Sequence, residues 1–146
     1  MIYKLPEGWK IETLKNVLER LIDYRGKTPQ KSNSGIPTLS AKSVKNNYID
    51  FSSVYYISRE EYNLFMNRGI PRVGDIVITT EAPLGLVAEL KTDKVALAQR
   101  IITMRGMENK LYNPYLKYYF QSPMGQYELK SRATGTTVTG ISQKNL

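Results

Sequence analysis

The sequence contains no cysteine and no histidine. The first absence excludes disulfides and thiol nucleophiles, and the two together remove most zinc sites. Lacking histidine, the chain also lacks the side chain that most often moves protons near neutral pH. Acids number only 13 in 146 residues and are scattered, so a carboxylate metal cage has little to be built from. Apolar runs extend over a few residues at most, too short for a membrane-spanning helix, and no basic amphipathic helix stands out. The opening MIYKLPEGWK has no apolar segment and is no secretory signal, so a cytoplasmic protein is the expectation. No metal and no cofactor is expected from this inventory.

What is present is positive charge. Lysine and arginine total 21, giving a net charge of +8 and a pI of about 9.6. The excess runs through both halves, with 12 cations against 7 anions in the first 73 residues and 9 against 6 in the rest. It is densest in residues 24–49, which hold Arg25, Lys27, Lys31, Lys42 and Lys45 and no acid. Such a segment, rich also in Ser, Thr, Asn and Tyr, suits a polyanion: cations neutralise phosphates, while hydroxyls and amides contact bases or fix the backbone. The plain alternative is a solvated lysine-rich loop. A hydrophobic fraction of 41% and a charged fraction of 23% are globular values, and 146 residues suffice for one domain with its own core.

Along the chain, Trp9 follows an irregular start and is expected to anchor in the core. Ile11, Leu14, Val17, Leu18, Leu21 and Ile22 recur at helical spacing and predict a short helix passing into a strand over 18–24. Residues 25–35 read as loop and 36–40 as a strand, with a turn at Asn46-Asn47. Ser58-x-x-Glu61 is a capping box opening a helix that runs to about Asn67 and stops at Gly69. Residues 71–75 form a turn, 76–80 a strand, Pro83-Leu84-Gly85 a tight turn, 86–90 a second strand and 95–104 a third. Asn113-Pro114 predicts a helix with Asn at its N-cap and Pro behind it, and Ser122-Pro123 a further one ending near Arg132. Ser142 reads as the cap of a last helix barely begun. The pattern predicts a single α+β domain over residues 1–146, with a twisted, mainly antiparallel sheet and a few short helices.

Few constellations carry chemistry. Asp75 with Glu89-x-Lys91 imitates the D…E-x-K set of metal-dependent nucleases, but Asp75 is better explained as a turn acid accepting backbone N–H groups. Asn113-Pro114-Tyr115 imitates part of an amino-methyltransferase element without its second proline or a Gly-rich loop, so capping explains it. The segment 134–139, TGTTVT, offers hydroxyls and a glycine but lacks a P-loop ending. Of the 11 tyrosines, Tyr115, Tyr118 and Tyr119 fit a helix as core or partner surface, and one of Tyr55 and Tyr56 is expected to be exposed. Tyr24, beside Arg25, is the one expected against DNA.

An ordered set of motifs points further. It comprises Leu5-Pro6-x-Gly8-Trp9, Asp23-Tyr24-Arg25-Gly26-Lys27-Thr28-Pro29, Gly35-Ile36-Pro37 and Gly74-Asp75-Ile76. Then follow Thr79-Thr80-Glu81-Ala82-Pro83-Leu84-Gly85, Ala96-Leu97-Ala98-Gln99-Arg100, Ala133-Thr134-Gly135-Thr136-Thr137 and Gly140-Ile141-Ser142. Across nearly its whole length the chain resembles a target recognition domain of the specificity subunit of type I restriction-modification enzymes. The resemblance implies an α+β domain that reads one half of a bipartite DNA target and has no catalysis of its own. It implies, for the full-length parent, spacer helices, a second such domain, and modification (methyltransferase) and restriction subunits as partners, the modification subunits carrying the S-adenosylmethionine site. The chain stops where the family continues into a spacer helix, so a fragment of a larger subunit is expected.

The residues and the resemblance agree on a DNA reader. Tyr24, Arg25, Lys27, Thr28, Lys31 and Ser32 are expected to form the main interface loop, with Lys42 and Lys45 on the DNA backbone. Thr80 and Glu81, at a strand end, form a second candidate group, Glu81 as an acceptor for a cytosine amino group or as a structural acid. Thr134, Thr136 and Thr137 form a third. The alternative is a protein-interaction module whose tyrosine-rich helices dock a methyltransferase subunit, with DNA contact incidental.

Overall fold

A computed structural model describes residues 6–133, 140, 141 and 146. The expectations for Leu5, Thr134, Thr136, Thr137 and Ser142 therefore lie outside the described residues.

The architecture is α+β in three layers. Helix α1 (Leu14–Val17) runs directly into strand β1 (Leu18–Asp23), as the periodicity predicts. Sheet A has the order β1–β7–β4–β5, with β4 (Ile76–Thr79), β5 (Val87–Glu89) and β7 (Ile101–Gly106), all antiparallel. A smaller sheet B has the order β3–β2–β6. There β2 (Ile36–Leu39) pairs antiparallel with β3 (Tyr55–Ile57) and parallel with β6 (Ala96–Leu97). Helices α2 (Arg59–Phe65), α3 (Asn113–Gln121) and α4 (Pro123–Arg132) complete the set. Among the described residues, no helix is long and apolar enough to cross a membrane.

Sheet A is covered on both faces, which explains why its central strands carry no clean polar alternation. On one face Ile76, Ile78, Ile102 and Met104 pack against Leu116 and Phe120 of α3 and Leu129 of α4. On the other, Ile22, Val77, Ala88 and Ile101 meet Leu39, Ile57 and Leu97 of sheet B and Phe65 of α2. Each such Val, Leu, Ile, Met or Phe side chain stabilises the fold by roughly 1.5–3 kcal/mol through burial.

Three local readings change. The apolar stretch 95–104 is two strands in different sheets, not one, because the chain turns at Gln99-Arg100, where Arg100 takes φ +66°. Trp9 is 60% exposed and anchors no core. Asn113 is the first helical residue of α3, not its cap. Its side chain instead joins two turns, accepting from Gly106 N at 2.7 Å and donating to Gly74 O at 2.8 Å. The Ser58 cap is as expected, accepting from Glu61 N at 3.0 Å. The Ser122 cap likewise accepts from Gly125 N at 3.1 Å.

Candidate nucleic-acid interface

The antiparallel register brings several loops to one end of sheet A. Asp23 lies opposite Ile102, Thr79 opposite Ile101, and Val87 opposite Ile78. The residues after β1, those between β4 and β5, and those before β7 therefore share that end. Sheet B joins it through Ala98 N, which donates to Leu39 O at 2.8 Å at the C-terminal ends of β2 and β6. The loop after β2, with Lys42 and Lys45, reaches the same place, since Asn47 N donates to Val87 O at 2.8 Å. Gln121 of α3 holds that loop by donating to Asn47 Oδ1 at 2.7 Å. Arg25, Thr28, Lys42, Lys45, Thr80, Glu81, Gln99 and Arg100 thus come together although they span much of the chain.

The basic loop after β1 is stitched to α2 and the residues behind it. Glu61, free of the reciprocal half of its capping box, accepts from Gln30 N at 2.6 Å. Arg68 Nη1 donates to Asp23 O and Arg25 O at 3.1 and 2.9 Å. A loop fixed this way pays little ordering entropy when it meets a ligand.

Tyr24 is a correction. It is 1% exposed and stacks on Phe65 with ring centroids 5.1 Å apart. Its hydroxyl donates to Gly69 O at 2.7 Å and accepts from Arg68 N at 3.0 Å, and burial pushes its pKa up. Tyr24 positions the loop from beneath and has no surface for DNA. Lys27 is half-buried, its Nζ donating to Asn67 Oδ1 at 2.8 Å and lying 5.2 Å from the Phe65 ring. Arg25 is exposed, and among the described residues its guanidinium has no partner; its backbone N donates to Asp23 Oδ1. Thr28 is exposed and accepts from Gln99 Nε2, tying this loop to the β6–β7 turn. Lys31 is exposed with its ammonium 4.6 Å from the Tyr55 ring, while Ser32 pairs its backbone with Tyr56 at the edge of β3. Lys42 is exposed, and Lys45 half-buried near Asp50. The Ser52 hydroxyl and backbone N–H, followed by Ser53, hold the Asp50 carboxyl below the usual carboxylate range.

Thr80 and Glu81 continue β4 past its last pair. Thr80 N donates to Arg100 O at 2.9 Å, and its carbonyl accepts from Ile141 N at 2.9 Å. Glu81 Oε1 forms an ion pair with Arg100 Nε at 3.3 Å, with the Arg100 side chain 59% exposed. Both loops carry left-handed non-glycine residues, Ala82 at φ +53° and Arg100 at φ +66°. Each costs about 1–2 kcal/mol, whereas an exposed ion pair contributes about 0–1 kcal/mol. Sequence reasoning passed over Gln99 and Arg100 as site residues. Their signal is a polar pair interrupting an apolar run.

The carboxylates of the nuclease-like pattern sit at the opposite end of sheet A. Asp75 is 1% exposed and bound by Arg105 Nε at 2.7 Å and Nη2 at 2.8 Å, and it also accepts from Arg72 N at 2.9 Å. Glu89 pairs with Lys91 at 2.6 Å. Both acids are thus engaged by cations, and among the described residues no cluster of three or more acids is placed to hold a metal. The turn role expected of Asp75 is present, and its main partner, Arg105, lies 30 residues away.

On the helical layer Tyr112, Tyr115, Tyr118 and Tyr127 are more than half exposed. Of the pair in β3, Tyr56 is exposed and Tyr55 half-buried.

The sequence profile described as Type I restriction modification DNA specificity domain matches residues 6–146. No curated protein matches the chain. Among solved structures, a chain from work on complex assembly and conformational transition of the type I R-M system aligns with TM-score 0.68 at 18% identity, covering 99% of this chain. The HsdS subunit from Thermoanaerobacter tengcongensis aligns with TM-score 0.67 at 18% identity over 98% of it. The S subunit of the type I system from M. genitalium aligns with TM-score 0.59 at 14% identity over 99%. The likeness to these structures is one of fold. The chain spans about a third of the length of each, 33%, 32% and 34% respectively.

Proposed function

The chain belongs to the family of type I restriction-modification DNA specificity domains, and from that premise we propose that it reads a short DNA sequence as a single target recognition domain. The sequence it reads is one half of a bipartite site. The observation that carries the reading is the gathering of Arg25, Lys42 and Arg100 with Thr28, Thr80 and Glu81 at one end of both sheets. Arg25 and Lys42, whose charged groups have no partner among the described residues, suit phosphates, and short polar side chains on fixed loops suit base edges. Lys31 and Ser32 flank that end, and Thr134, Thr136 and Thr137 follow α4 as further candidates. Lys27 and Tyr24 support the loop instead of facing the ligand.

In this reading the domain is non-catalytic and part of a larger cytoplasmic specificity subunit. Modification and restriction subunits join that subunit and supply the chemistry. A second reading, a module that docks a methyltransferase subunit, draws on the exposed Tyr112, Tyr115, Tyr118 and Tyr127. Aromatic side chains of this kind are enriched in protein interfaces.

Selection from a randomised duplex pool at low and moderate salt tests the proposal. Enrichment of a short motif is the expected result. Binding without enrichment would leave only the sequence-independent electrostatic term and overturn sequence reading. Absence of binding even at low salt would favour the docking module.

A further inference from the structure

The geometry points to Arg100 as the residue that reads a guanine at the loop-bearing end of the sheets, with Glu81 as its positioning residue; this rests on the DNA-reading proposal above. The register Thr79 opposite Ile101 places Thr80 and Arg100 across from one another just beyond the ladder. Their backbones are joined by the Thr80 N to Arg100 O bond at 2.9 Å. On its other side the Glu81 segment bridges to Gly140, so Glu81 is held between two neighbours. The turn bearing Arg100 is further tied to the basic loop through Gln99 and Thr28. The guanidinium therefore stands on a braced platform.

Its donors are arranged for recognition. Glu81 approaches Arg100 through Nε, while Nη1 and Nη2 make no hydrogen bond among the described residues. A flat fork with that edge open matches the O6 and N7 acceptors of guanine in the major groove. The other arginines near the loops are differently placed. Arg68 is spent on the carbonyls of Asp23 and Arg25. Arg25 has no side-chain partner among the described residues to orient it and suits a phosphate. Arg100 alone among these combines an open fork with a carboxylate that aims it, the supporting contact a discriminating side chain needs. Its left-handed backbone, mirrored at Ala82 on the facing loop, is strain that an exposed ion pair does not offset, and such strain collects at functional loops.

Selection and sequencing with the wild-type chain, Arg100→Gly, Arg100→Lys and Glu81→Gln tests this. Glycine adopts φ +66° without strain, so Arg100→Gly removes the guanidinium while keeping the turn. The wild type is expected to enrich a motif containing a guanine. Arg100→Gly is expected to lose discrimination at that one position by about 10- to 100-fold and keep the rest of the motif. Arg100→Lys retains the charge and does not restore the preference, since a point charge lacks the fork. Glu81→Gln is expected to keep the same base with discrimination a few-fold weaker. An unchanged motif in Arg100→Gly would overturn this inference while leaving the DNA-reading proposal standing. No motif from the wild type would overturn both. Loss of discrimination in Glu81→Gln at a different base pair, with the Arg100-dependent position intact, would make Glu81 a reader in its own right and overturn its positioning role.

Discussion

Arg105 grips Asp75 with two nitrogens, Nε on Oδ1 at 2.7 Å and Nη2 on Oδ2 at 2.8 Å, inside the end of sheet A opposite the loops. Hydrogen bonding to Asp75 holds the Arg105 pKa above its ordinary value, against the effect of burial. Removing Asp75 leaves the Arg105 charge largely buried, with Glu19, 3.3 Å from Nη1 and itself partly exposed, as its remaining carboxylate. Asp75→Ala is therefore expected to lower unfolding stability by about 3–5 kcal/mol, measured by urea denaturation. Replacing both by apolar residues, Asp75→Leu with Arg105→Met, is expected to recover much of that loss. A single mutant within about 1 kcal/mol of wild type would show that the pair does not hold this end.

Tyr24 gives the fold an alkaline limit. Burial raises its pKa above the ordinary 10.0, and the same cause acts on Tyr55 and Tyr62. A raised folded-state pKa means that the unfolded chain releases the proton first as pH rises. The contribution is fully present below pH 10 and is lost as pH climbs through the folded-state values. Stability is thus expected to fall above about pH 10, and Tyr24→Phe to flatten that fall. At neutral pH the same mutant leaves Gly69 O and Arg68 N without their partner, at a cost of about 1–3 kcal/mol. Thermal melts across pH 7–11 measure both effects.

Thr103 offers a gain instead of a loss. It sits in β7 between Ile22 and Val77, and its hydroxyl is buried with no hydrogen-bond partner among the described residues. Valine keeps the branched shape and removes the unsatisfied oxygen. Thr103→Val is expected to stabilise the chain by about 1 kcal/mol, read as a higher melting temperature. A lower one would reveal that the hydroxyl has a partner in solution.

Much of this molecule was legible from local pattern. The helix-to-strand passage at 14–23, the loop over 25–35, the Ser58 and Ser122 caps and the β-branched run of β4 follow from periodicity and capping chemistry. Where the reading failed, a distant partner decided. Tyr24 reads as surface because Arg25 follows it, yet the aromatic partner that buries it, Phe65, lies far along the chain. The run 95–104 reads as one strand because both its halves are buried on two faces, so nothing but Gln99-Arg100 marks the change of sheet. The pairing of Asp75 with Arg105 has no local signature. The interface itself was half legible: the basic loop announces its charge, but only the strand register brings Thr80, Glu81 and Arg100 beside it.

That register separates the lysines and arginines of the loops by what already occupies them. Arg25 and Lys42 are exposed, and among the described residues neither charged group has a partner, so each can neutralise a phosphate at little cost. Lys27 would first have to leave Asn67 Oδ1 and the Phe65 ring. Arg25→Ala and Lys42→Ala are therefore each expected to reduce the slope of log affinity against log salt by about 0.9, the signature of one lost phosphate contact. Lys27→Ala is expected to leave the slope nearly unchanged while loosening the loop, with affinity falling equally at every salt concentration. Binding titrations of the three variants at four or more salt concentrations distinguish these outcomes. A full unit of slope lost in Lys27→Ala would mean that its ammonium swings from Asn67 to DNA on binding, and would move the interface toward α2.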